Sequence, residues 1–69
     1  MLKEVKIEGE YIKLDQILKL GELVGSGGQA KLLILNGEVK VNGNIVIQRG
    51  KKIRPGDIVE LFDDKVKVI

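Results

Sequence analysis

A chain of 69 residues makes one small domain, residues 1–69, and a single core of that size leaves a stability margin of about 3 to 5 kcal/mol. It contains no Cys and no His, which excludes a disulfide framework, a Cys/His zinc site and thiol or imidazole catalysis. No metal and no cofactor is therefore expected, and the chain is not read as an enzyme. No apolar run approaches the roughly 18 residues that span a bilayer, and residues 1–6 alternate charge without an apolar signal segment. The expectation is a cytoplasmic protein that does not engage a membrane.

The net charge is only +2, but its distribution is uneven. Lys31, Lys40, Arg49, Lys51, Lys52 and Arg54 are interrupted by the single acid Glu38, so residues 31–54 carry +5 and the rest of the chain carries −3. A basic face on a nearly neutral protein suits a polyanion.

Taken in order, residues 3–8 place Lys3, Val5 and Ile7 on one parity and Glu4, Lys6 and Glu8 on the other, the pattern of a half-buried strand. Leu14, Ile17, Leu18 and Gly21 then recur at i, i+3, i+4 and i+7, the stripe of an amphipathic helix. Asp15 complements the dipole of that helix, and Gly21 is a candidate left-handed stop. Ser26 and Gln29 have capping-box spacing: the Ser oxygen can accept from the Gln29 amide while the Gln side chain reaches back to the Ser26 amide. A second helix over about residues 27–35 repeats the stripe with Ala30, Leu33 and Ile34, and Asn36-Gly37 ends it.

Beyond Gly37 the period becomes two, with Val39 and Val41 opposed to Glu38, Lys40 and Asn42. Asn42-Gly43 is a strong hairpin signal, because both turn positions want positive φ. Ile45 and Ile47 continue on one parity, residues 48–54 read as a basic loop, and Pro55-Gly56-Asp57 fits a type II turn. Residues 58–62 and 66–69 are two further strands joined by a hairpin at Asp63-Asp64-Lys65. The fold class is α+β: an N-terminal strand, two short packed helices, then a small, mainly antiparallel sheet of about four strands.

Gly27 and Gly28 in the first turn of the second helix are poor helix formers, costing roughly 0.5 to 1 kcal/mol each against Ala. Their use there admits two explanations. Either the exposed amides let a phosphate approach closely, aided by the helix dipole and by Lys31 one turn on, or the glycines let two helices pack closely across a tight loop.

Leu14-Asp15-Gln16-Ile17-Leu18, Ser26 with Ala30-Lys31, Gly37-Glu38-Val39-Lys40-Val41-Asn42-Gly43 and Gly56-Asp57 resemble the RNA-binding domain named after ribosomal protein S-four, the alpha-L motif. The likeness covers about residues 12–61. Ser26-Gly27-Gly28-Gln29-Ala30-Lys31 together with Arg49-Gly50-Lys51-Lys52 is similar to the small stand-alone bacterial branch known as YaaA-like proteins. The resemblance implies non-catalytic binding of structured RNA, ribosomal or transfer RNA, with contacts at the start of the second helix and on the loop beyond the Val-Asn-Gly strand. Many members carry Arg directly after the Ser, where this chain has Gly27. Either Arg49, Lys51, Lys52 and Arg54 offset that loss or the partner differs.

The expected RNA-binding residues are thus Ser26, Gly27, Gly28, Gln29, Lys31, Gln48, Arg49, Lys51, Lys52 and Arg54. Gly27, Gly28 and Lys31 would cradle one phosphate, the cations of residues 49–54 would follow a second stretch of backbone, and Gln29 and Gln48 would bond sugar or phosphate oxygens. With no Trp, one Tyr and one Phe there is no stacking platform for several splayed bases, which favours recognition of RNA shape by a monomer, with the ribosome as one setting. Asn42, Asp15 and Asp57 are read first as turn formers and caps, and Tyr11 as either a core-edge residue or a stacking one. The alternative function is a protein-interaction module that docks an acidic partner of a translation or replication assembly on the same basic face.

Overall fold

The computed structural model describes residues 2–69. The elements follow as β1 (Leu2–Val5), β2 (Ile12–Lys13), α1 (Leu14–Leu20), α2 (Gly27–Leu35), β3 (Val39–Val41), β4 (Asn44–Ile45), β5 (Lys52–Ile53), β6 (Ile58–Leu61) and β7 (Asp64–Val68). The architecture is α+β, with a five-stranded sheet in the order β1-β7-β6-β3-β4 and a separate two-stranded ladder of β2 with β5. None of the described helices is long and apolar enough to cross a membrane.

Alternation sorts the sheet into two faces. Val39, Val41, Val59, Leu61, Val66 and Val68 point into a core that also holds Leu14, Ile17 and Leu18 of α1 and Ala30 and Ile34 of α2. The opposite parity puts Lys40, Glu60, Lys65 and Lys67 on the outer face, where the register pairs Lys40 with Glu60 and Glu60 with Lys65. Opposite charges on neighbouring strands suit a solvated face. The N-terminal strand lies parallel to the last one, Lys3 beside Val66 and Val5 beside Val68, and the pairing continues where the Ile7 amide donates to the Ile69 carbonyl at 3.0 Å. The remaining pairs of the large sheet are antiparallel.

Local expectations hold at the turns that carry a steric reason. Asn42 (φ 52) and Gly43 (φ 85) both adopt the left-handed conformation of a tight hairpin. Gly56 has φ 99, and the Asp57 amide closes the turn on the Arg54 carbonyl at 2.9 Å.

Four details differ from the sequence reading. Gly21 is not left-handed, with φ −79, and the neighbouring Glu22 takes φ 60 instead. The glycine serves close packing: a Cβ there would lie 2.8 Å from Val66 Cγ2 and 3.2 Å from the Ile17 carbonyl oxygen. The last hairpin turns at Phe62-Asp63, one residue early, since Leu61 pairs with Asp64. Across the Asn42-Gly43 turn Ile45 falls opposite the outward Lys40, so Ile45 and Ile47 are exposed while Val46 is the residue packed against the core. Finally, residues 48–54 are not wholly a loop, because Ile53 is fully buried and anchors β5 against β2.

Candidate nucleic-acid interface

The start of α2 is built by its cap. Ser26 is extended (φ −154, ψ 163), and its Oγ accepts from the Gln29 amide at 3.2 Å. Gln29 Oε1 accepts from the Gly25 amide at 2.8 Å, one residue before the Ser26 amide that capping-box spacing suggests, so the side chain ties the preceding loop to the first turn. The first intrahelical bond runs from the Ala30 amide to the Ser26 carbonyl at 3.1 Å. Gly27 and Gly28 are thus left as first-turn donors without an acceptor in the helix. A Cβ on Gly28 would meet nothing within 4 Å, and one on Gly27 would meet only the Lys19 stem, at 3.9 Å. Close helix packing therefore does not account for Gly28; Gly21 and the buried Ala30 are the small residues at the packed positions.

The basic segment is held by its backbone, which frees its side chains. The Leu14 amide donates to the Lys51 carbonyl at 2.9 Å and the Asp15 amide to the Arg49 carbonyl at 3.1 Å. These carbonyls cap α1, whose N-cap Lys13 makes no side-chain cap bond. Gln48, Arg49, Lys51, Lys52 and Arg54 are all exposed. The Lys52 ammonium lies 4.9 Å from the centroid of the Tyr11 ring, within cation–π range. In the β2–β5 register Lys52 stands directly opposite Lys13.

A side-chain bracket fixes the end of this segment. Asn42 Nδ2 donates to Asp57 Oδ1 at 3.0 Å, Asn42 Oδ1 accepts from the Ile58 amide at 2.9 Å, and Asp57 Oδ2 accepts from the Arg54 amide at 2.8 Å. Burial pushes the Asp57 carboxyl up, but the Arg54 amide, Asn42 and the charges of Lys51 and Arg54 outweigh it and hold the carboxyl below its ordinary value. Asn42 and Asp57 thus do more than shape their own turns: they lock the β3–β4 hairpin to the turn that follows the cations.

All ten residues expected from the sequence are exposed, but they form two groups rather than one cradle. Ser26, Gly27, Gly28, Gln29 and, one turn on, Lys31 lie by the last turn of α1, where the Lys19 stem passes Gly27. Residues 48–52 wrap the first turn of the same helix. Seven residues of α1 rise about 10 Å, and the exposed Lys13, Gln16 and Lys19 recur every third residue along it between the two groups. These three were not singled out from the sequence. Their signal was there as the polar stripe opposite Leu14, Ile17 and Leu18. Among the described residues no cluster of three or more His, Cys, Asp or Glu could hold a metal ion.

The family model of the S4 domain matches residues 5–69. The chain belongs to the S4 domain family. Among curated relatives, this S4 domain is 41% identical over 61 residues to the "Probable ribosome maturation protein RlbA" of Bacillus subtilis, covering 88% of the chain and 86% of that protein. It is 36% identical over 59 residues to the "Putative RNA-binding protein YbcJ" of Escherichia coli, covering 86% of the chain and 84% of that protein.

Proposed function

We propose that this single domain binds structured RNA in the cytoplasm, ribosomal RNA before transfer RNA, and does so without catalysing a reaction. The observation that carries the reading is the row of exposed cations that follows α1, from Arg49, Lys51 and Lys52 past Lys13 and Lys19 to the open amides of Gly27 and Gly28. Such a row meets successive phosphates of a folded backbone, and its contacts go to phosphate and sugar rather than to base edges. Membership of the S4 domain family and a relative named for ribosome maturation support the choice of partner. Lys13 and Lys52, set opposite each other without an acid between them in the register, repel in the free protein. A phosphate between them turns that repulsion into attraction.

The test is binding to ribosomal subunits, transfer RNA and an acidic protein over a salt series, for the wild type and an Arg49/Lys51/Lys52/Arg54→Ala variant. Each phosphate contact contributes about 0.7 to 0.9 to the slope of log K against log salt, so the variant's slope is expected to be shallower by roughly three. Equal slopes for both proteins would refute the assignment of the basic segment. Binding of the acidic protein alone would refute RNA as the partner.

A further inference from the structure

Beside α1 runs an open groove of about 610 Å³, bounded on its other side by residues 6–8. Ile7, Ile12 and Leu20 supply the apolar part of its wall, and Leu20 remains 53% exposed. The groove adjoins a second hollow of about 440 Å³ over Ile12, Gln16, Lys19 and Leu20. Tyr11, the only Tyr in the chain, lines the larger hollow and is 41% exposed. Two cations of the row described above, Lys13 and Lys19, border these hollows.

The chemistry of the wall narrows what can fill it. Lys6 and Lys13 border the larger hollow, Lys19 borders the smaller one, and Lys52 sits over the Tyr11 ring. Glu8 is the single acid lining either hollow. The wall therefore suits an occupant with a flat apolar face for the Tyr11 ring and negative charge at its outer edge. Gln16 offers it both a donor and an acceptor, and Glu8 accepts from an amino or imino edge. A nucleobase with its own phosphate has this character.

We infer that the groove takes one unpaired nucleobase of the bound RNA, stacked on Tyr11, with its phosphate between Lys13 and Lys52. The inference rests on the RNA-binding reading and deepens it: the preferred target is a helix that carries an extrahelical nucleotide, not a fully paired stem. One aromatic ring serves one base, which is consistent with a chain that lacks a wider stacking platform.

Two dye-labelled RNA hairpins, identical except for a single bulged nucleotide, test this by anisotropy titration with the wild type, Tyr11→Ala and Tyr11→Phe. Far-UV circular dichroism checks that each variant is folded. A base–aromatic stack corresponds to about a five- to hundredfold change in affinity. The wild type is expected to prefer the bulged hairpin by such a factor, Tyr11→Ala to lose that preference by weakening on the bulged hairpin more than on the paired one, and Tyr11→Phe to retain it. Equal binding of both hairpins by the wild type, or an equal loss on both with Tyr11→Ala, would overturn the base site and leave RNA binding standing. No binding of either hairpin by the wild type would overturn both.

Discussion

Asn42 separates two contributions that usually travel together, the shape of a turn and the bonds its side chain makes. Asn42→Gly keeps the left-handed backbone (φ 52) at no steric cost and deletes the bonds to Asp57 and to the Ile58 amide. A neutral hydrogen bond contributes about 1 kcal/mol net and one to a carboxylate about 1.5 to 3. Because both are solvent-exposed, the lower ends apply and the loss is about 2 kcal/mol. Asn42→Ala adds about 1 kcal/mol of left-handed strain, which together removes most of a margin of about 3 to 5 kcal/mol. Urea unfolding followed by circular dichroism reads this as a midpoint lowered by about 1 to 2 M for Asn42→Gly, with m unchanged. A pH arm checks the carboxylate side. The folded-state pKa of Asp57 lies below the ordinary aspartate value, so its contribution is present above that ordinary value and is lost as pH falls through the lower, folded one. The stability difference between wild type and Asp57→Asn should therefore shrink only below about pH 4, and the shrinkage should be smaller in an Asn42→Gly background. If Asn42→Gly unfolds at the wild-type midpoint while Asn42→Ala falls, the turn conformation alone matters and the bracket contributes nothing.

Two glycine substitutions should move stability in opposite directions. Gly21→Ala sets a methyl 2.8 Å from Cγ2 of the fully buried Val66, and overpacking of this kind costs about 1 to 3 kcal/mol; a melting temperature lowered by roughly 4 to 8 °C per kcal/mol is expected, and an unchanged one would show that the helix shifts without strain. Gly28→Ala meets open space and should stabilise by about 0.5 to 1 kcal/mol while weakening RNA binding, because the methyl would stand in the way of the proposed phosphate contact to the amide; unchanged affinity would remove that amide from the interface.

What the sequence made legible is what local sterics decide. Asn42-Gly43, Pro55-Gly56 and Ser26 with Gln29 each force one backbone shape within four residues, and each adopts it. Pairings across the chain left no such trace. Strands as short as Ile12–Lys13 and Lys52–Ile53 carry no period, so a run of cations around Ile53 reads as loop although Ile53 is core. Asn42 and Asp57 lie 15 residues apart, and only the β3–β6 pairing makes them neighbours. Left-handed Glu22 and Phe62 defy residue preference because the packing of Gly21 and the β6–β7 register set their position. For the interface, a count along the chain found the cations of residues 31–54 but not Lys13 and Lys19, which join them only once α1 is laid between the basic segment and the start of α2.

RNA is proposed to meet the α1 side of the molecule, not the outer face of the sheet. Amide chemical shifts of the isotope-labelled protein, titrated with ribosomal RNA, test this residue by residue. The account predicts the largest changes at Lys13, Gln16, Lys19, Gly27, Gly28, Arg49, Lys51 and Lys52, and little change at Lys40, Glu60, Lys65 and Lys67. Changes concentrated on those last four would contradict it.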